Sequence, residues 1–167
     1  MSIHETVREL ARTCCVELFG SYDVELSGCE GSHEATIELA GIIGFTHSAL
    51  KGAMIVGCSE AILQRSHRAS TGASRRDWSA ELANQLLGRV KNRLVARGVD
   101  VDMTTPIALR GQHLTVDDAD DKIKVLSFHS SDGWVRVWID LEVTGEIALT
   151  PEDATVAVAT EGEMMLF

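Results

Sequence analysis

Residues 78–98 read WSAELANQLLGRVKNRLVARG. At the helical step of about 100° per residue, Trp78, Leu82, Leu86 and Val90, joined by Ala83, Leu87 and Leu94, form an apolar stripe wide enough to cover a sheet. The opposite side carries Glu81, Asn84, Gly88 and Lys91, each three or four residues from the next, so they share one patch. Asp77 or Ser79 is the expected N-cap, and Gly98 the C′ residue that closes the helix. Gly88 is the anomaly, because a mid-helix glycine costs ~1 kcal/mol relative to alanine. Two explanations stand open. Either another backbone or side chain must come close there, or Glu81 and Asn84 are ordinary polar residues on a wet face and Gly88 is neutral drift.

The elements around this helix have the opposite periodicity. Ile3, Val7, Leu10, Cys14 and Leu18 mark a first helix with Gly20 as its stop, and YDVELSG then begins strand-like alternation. HEATIELAGIIGF and KGAMIVGCS read as a hairpin joined by THSAL, and Ser59 caps a short helix running to about Arg68. ASTGAS is a polar loop before the long helix. VDMTTPIALRG is a strand that Pro106 confines to an edge or bulge. Beyond the acidic loop DDADD, KIKVLSFHS and GWVRVWIDLEV form a second hairpin turning at SSDG. On its last strand Val135, Val137, Ile139, Leu141 and Val143 line one face, and Trp134, Arg136, Trp138, Asp140 and Glu142 the other. This order predicts an α+β fold: a largely antiparallel β-sheet with a long helix and two shorter helices packed on it.

A chain of 167 residues suits one domain, read as 1–149, with 150–167 a tail or an added edge strand. With 45% apolar and 24% charged residues, no bilayer-length apolar run and no signal-peptide pattern at the N-terminus, a cytoplasmic protein without a membrane span is expected. The net charge of −10 is uneven: residues 1–98 hold 11 acidic and 11 basic side chains, and residues 99–167 hold 14 acidic and 4 basic. Such a surface repels phosphate backbones, which argues against nucleic acid as a partner. The local exception is the long helix and its entry, where Arg75, Arg76, Arg89, Lys91, Arg93 and Arg97 cluster. Cys14, Cys15, Cys29 and Cys58 show no CxxC and no zinc spacing, and Cys14 and Cys58 fall at core positions.

The stretch ELANQLLGRVKNRL resembles the signature helix of the CheX-type chemotaxis phosphatases, relatives of CheC and of the phosphatase modules of flagellar switch proteins. In that family the active helix carries Glu-x-x-Asn, which here is Glu81-Leu82-Ala83-Asn84, followed by Gly88 and the basic Lys91. ELAGIIGFTHSALKGAMIVGCSE resembles the hairpin that leads into the short helix, and TTPIALRG the strand after the active helix. The likeness spans roughly residues 1–145, with a single copy of the motif, as in CheX rather than the two-site CheC.

The resemblance implies an activity: hydrolysis of the aspartyl phosphate on a CheY-like response-regulator receiver. Asn84 would position the attacking water and Glu81 would dock on the receiver's lysine. Apart from the resemblance, the helical cost of Gly88 is explained if it stays small so that the receiver's loops can approach, and the charges of Arg89, Lys91 and Arg93 on this partner-binding face would steer the helix toward an acidic phosphorylated pocket. The chain itself needs no cofactor and no metal, because the receiver brings the Mg2+. A homodimer is also implied, with Trp134 and Trp138 either packed under a helix or forming a contact between the sheets of two protomers.

Two rivals accompany this reading. The same fold could hold a receiver as a non-catalytic adaptor. A small-molecule enzyme could instead use His33, His47, His67, His113 or His129 as a base, but the sequence pairs none of the five with a carboxylate. Separately, His4 beside Glu5 on the first helix could be read as a phosphohistidine site, with surface exposure the default.

Overall fold

The computed structural model describes residues 1–29, 37–68, 74–117 and 122–151. In chain order the elements are α1 (Ile3–Gly20), β1 (Ser27–Cys29), β2 (Ile37–His47), β3 (Leu50–Cys58), α2 (Glu60–His67), α3 (Arg75–Val95), β4 (Asp102–Met103), β5 (Ile107–Leu114), β6 (Lys124–Ser130) and β7 (Gly133–Val143). The strands form one seven-stranded sheet in the order β1-β6-β7-β3-β2-β4, with β5 also on β2, and every pairing is antiparallel. The α+β architecture expected from the periodicities is the one observed.

Both hairpins are present. The first turns tightly, with His47 opposite Leu50, and the second turns between Ser130 and Gly133. Pro106 interrupts the edge beside β2: β4 pairs with Phe45 and Thr46 before the proline, and β5 pairs with Ile37 to Ile42 after it. β5 continues past Gly111 through an irregular register to Leu114, so that glycine does not end the strand.

The apolar faces of all three helices join one core with one face of the sheet, including Val135, Val137, Ile139 and Leu141 from β7. α1 buries Thr6, Ala11, Cys15 and Phe19 besides the five residues on its expected face, because it is covered by both the sheet and α3. The YDVELSG segment alternates in burial, with Val24 and Leu26 inside and Glu25 outside, yet only Ser27–Cys29 pairs as a strand. Alternation there reflects a chain lying against the core rather than a ladder.

Trp134 and Trp138 lie on the sheet face turned away from the helices. Trp138, 7% exposed, is buried with Ile37 and Ala40, and Ile55, Leu114, Val116, Ile123 and Trp134 pack around them. Helix packing is thus not what covers the tryptophans; side chains of their own sheet and its flanking segments do. Arg136, a residue only 8% exposed, holds its guanidinium 5.5 Å from the centre of the Trp134 ring. The ASTGAS residues 69–73, the acidic residues 118–121, His33 and the tail from 152 onward lie outside the described residues. Thr150, the start of the expected tail, donates its backbone N–H to the Arg97 carbonyl at 3.1 Å.

Candidate active site on the long helix

The candidate site residues lie on α3, whose buried residues are the predicted stripe, Trp78, Leu82, Ala83, Leu86, Leu87, Val90 and Leu94, with Ser79 added. The N-cap is Ser74 rather than Asp77 or Ser79: its hydroxyl accepts from the Asp77 backbone N–H at 3.1 Å. The helix starts one turn earlier than expected because Ser74 already satisfies a first-turn donor and Arg75 and Arg76 are good helix formers. Ser79 has another task. Its carbonyl lies against Gly41 of β2, where an added Cβ would stand 2.0 Å from the Ser79 oxygen and 3.0 Å from the Ala83 Cβ. Trp78 is tied down as well, donating its indole N–H to the buried Ser66 hydroxyl at 3.0 Å. At the far end Val99 N–H donates to the Leu94 carbonyl and Gly98 N–H to the Val95 carbonyl, both at 2.9 Å, with Gly98 at φ +82. That is a Schellman turn with the glycine in its left-handed position, as expected.

The polar side of α3 is half-buried rather than wet: Glu81, Asn84, Gln85, Gly88, Arg89 and Lys91 are all of intermediate exposure. Glu81 is the hub. Its Oε2 accepts from Asn84 Nδ2 at 3.3 Å and its Oε1 from Gln85 Nε2 at 3.0 Å. Gln85 Oε1 in turn accepts from the Tyr22 hydroxyl at 2.6 Å. Tyr22 reaches this point because α1 ends in its own reversal, in which Val24 N–H donates to Phe19 and Asp23, at φ 58, to the Gly20 carbonyl. The left-handed residue that stops α1 is therefore Asp23, not Gly20. Tyr22 then sits edge-on to Trp78 with ring centres 5.4 Å apart. The sequence reading missed Tyr22 and Gln85; the available signals were Gln85 one helical turn after Glu81 and the chain's single tyrosine just beyond α1.

Among the described residues, Gly88 faces open space: nothing outside its own helix turn lies within 4 Å of where a Cβ would be. Lys91 Nζ stands 3.2 Å from Asp100, and Arg93 holds the Glu17 carboxylate with two contacts of 2.7 Å, so both of these cations already have an acidic neighbour.

Ser59, at the N-terminus of α2, makes no capping bond with its side chain. Its hydroxyl accepts from Trp134 N–H at 3.3 Å and its own N–H donates to the Trp134 carbonyl at 2.9 Å, which pins α2 to the last hairpin. Of the histidines, His47 Nδ1 accepts from Ala49 N–H at 3.1 Å, His4 Nε2 is 3.3 Å from the Leu141 carbonyl, and His67 stacks edge-on against Trp78. Cys14 and Cys15 are buried, and Cys29 and Cys58 are half-buried. Desolvation pushes the Cys58 thiol up to about 12 and raises that of Cys15 as well, so neither is a nucleophile at neutral pH. Among the described residues no group of three or more His, Cys, Asp or Glu side chains could hold a metal ion, and no helix is long and apolar enough to cross a membrane.

Comparison with known proteins gives the family and the fold. The family model described as chemotaxis phosphatase CheX matches residues 39–129, more than half of the chain. CheX from Vibrio vulnificus is similar at a TM-score of 0.70 and 21% identity, over 81% of this chain and 96% of that one. A CheC-like superfamily protein from Shewanella sp. PV-4 is similar at 0.72 and 21% identity, over 85% of this chain and 99% of that one. The structure of a CheX–CheY–BeF3–Mg2+ complex from Borrelia burgdorferi is similar at 0.61 and 15% identity, over 84% of this chain and 98% of that one. No curated protein matches the chain by sequence. On the strength of the family match, the chain belongs to the CheX family of chemotaxis phosphatases.

Proposed function

We propose that this protein hydrolyses the aspartyl phosphate of a CheY-like receiver, with α3 as the face that meets the receiver. The observation that carries the reading is Glu81 and Asn84, one helical turn apart on a half-buried face, with the carboxylate holding the amide. Asn84 presents the chemistry required. Once Nδ2 is committed to Glu81, Oδ1 is the atom left to accept a proton from water, and among the described residues it accepts no other hydrogen bond. A water so held attacks the phosphorus in line, the bond to the receiver's carboxylate oxygen breaks, and inorganic phosphate and free aspartate result. Glu81 retains lone pairs for the receiver's lysine, a charge-assisted contact that sets the register of the helix against its partner. The Mg2+ of this reaction belongs to the receiver.

Gly88 supports the same face. Among the described residues no atom outside its own helix turn lies within 4 Å of where its Cβ would be, and none of them explains its helical cost. A receiver loop lying across it supplies the reason. Arg89 and Lys91 flank that approach, and Lys91 can exchange its exposed Asp100 neighbour for an acidic group of the partner. The reading includes a homodimer, a single phosphatase domain over 1–149 and a cytoplasmic location. Trp138 does not argue for the dimer, since its own chain already covers it; the mass in solution at micromolar concentration tests it.

The functional test is the decay of a phosphorylated receiver with substoichiometric protein. Wild type is expected to accelerate decay over many turnovers, Asn84→Ala to remove the acceleration while still binding, and Glu81→Ala to weaken binding. A receiver that binds through α3 without losing its phosphate faster makes the protein an adaptor and sinks the phosphatase reading.

A further inference from the structure

We infer that Tyr22 and Gln85 are positioning residues that hold Glu81 and, through it, Asn84 in a single hydrogen-bonding arrangement; the inference rests on the proposed function and deepens it. The polarity of the chain of bonds is set at one end. An ionised carboxylate only accepts, so both neighbouring amides must turn their nitrogens to Glu81, Asn84 toward Oε2 and Gln85 toward Oε1. Gln85 then faces the other way with Oε1, an acceptor, and the Tyr22 hydroxyl must donate to it, which it does at 2.6 Å. No alternative proton arrangement satisfies all three contacts. A flip of Gln85 would set its oxygen against the Glu81 carboxylate, and a flip of Asn84 would do the same and withdraw the acceptor that faces water.

The anchor lies on a different element from the site. Tyr22 sits in the turn after α1, fixed by backbone bonds from Val24 and Asp23 and by the edge contact with Trp78, which is bonded to Ser66. Glu81, by contrast, is a flexible side chain on a helix surface, with several rotamers to lose before it can present a carboxylate in one place. Two neutral donors, one on each carboxylate oxygen, restrict that freedom before the receiver arrives, which is where preorganisation gains rate.

The test uses Tyr22→Phe, which keeps the ring against Trp78, and Gln85→Leu, each checked for an unchanged melting curve. With a phosphorylated receiver, each variant is expected to lower kcat about 3- to 10-fold with KM within about twofold of wild type, and the double variant to be no slower than Gln85→Leu alone. Additive losses, or losses confined to KM, would overturn a relay through Gln85. A second readout needs no turnover: the Asn84 side-chain amide signals in 15N NMR of the free protein. They are expected to show a rigid amide in wild type and a mobile one in both variants, as in Glu81→Ala. If wild type fails to dephosphorylate the receiver, the proposed function falls while the NMR result still decides the positioning. A rigid Asn84 amide in both variants overturns it.

Discussion

Replacing Gly41 with alanine tests whether α3 is seated where the structure puts it. The added Cβ would lie 2.0 Å from the Ser79 carbonyl oxygen, 2.8 Å from its carbon and 3.0 Å from the Ala83 Cβ, whereas real Cβ contacts essentially never fall under 3.0 Å. Two of the obstructing atoms are backbone and cannot rotate aside, so α3 must lift from β2 by about 1 Å. A gap of that size forfeits a quarter to a half of each dispersion contact it opens, and it opens them along the stripe from Trp78 to Leu94. Overpacking in well-packed cores costs about 1–3 kcal/mol and sometimes more; with backbone as the obstacle, about 3 kcal/mol or more is expected. For a chain of this length that is a fall in Tm of about 6–12 °C. Urea unfolding gives the free energy directly, with the midpoint lowered and the slope unchanged. A variant within about 0.5 kcal/mol of wild type would mean that α3 does not rest on Gly41, and the placement of Glu81 and Asn84 would fall with it.

Gly88→Ala, on the open side of the same helix, is expected to do the reverse, raising stability by about 1 kcal/mol in urea unfolding while slowing receiver dephosphorylation; unchanged turnover would return Gly88 to neutral drift. Trp78→Phe removes the donor to the buried Ser66 hydroxyl and should cost about 1–3 kcal/mol by the same assay. High pH should destabilise the fold through its thiols. Cys15 and Cys58 have folded pKa values raised above the ordinary value of 9.0, to about 12 for Cys58, so above pH 9 the unfolded chain sheds protons that the folded chain keeps. Stability is full below pH 9 and declines from there toward 12, and urea midpoints measured from pH 8 to 10.5 should show the fall; its disappearance in Cys15→Ala/Cys58→Ala checks the cause.

What the sequence carried was periodicity. The α3 stripe and the two faces of β7 were legible because side chains repeat every 3.6 or every 2 residues, whatever lies above them. Contacts made across elements left no such trace. Gly41 reads as a weak point in a strand, and only the approach of the Ser79 carbonyl gives it a purpose. Ser59 has the right residue type and position for a helix cap, yet its hydroxyl bonds to Trp134 because the last hairpin passes within reach. The β7 alternation separated Trp134 and Trp138 from the core face, but which segments would cover them depended on β5 and on residues 114, 116 and 123 arriving on that side. At the site, Glu81 and Asn84 were visible only through likeness to a known motif, since any surface helix offers polar pairs at that spacing.

The two sides of α3 explain how one helix can carry the proposed site. Its apolar side cannot slide, because the Ser79 carbonyl fits against a glycine on β2 and Trp78 is bonded into the core. Its polar side is half-buried, and the Glu81 carboxylate is met by donors on both oxygens. A receiver that already holds a metal ion and a lysine around its phosphate lacks only a water in the right place. Supplying that water requires little charge and no deep cleft. It requires one amide oxygen whose position is fixed to within a fraction of an ångström before the partner docks. In the proposed reaction, turnover depends as much on what holds Asn84 as on Asn84 itself, and the hydrogen bonds that hold it extend through Glu81 and Gln85 to a tyrosine beyond the end of another helix.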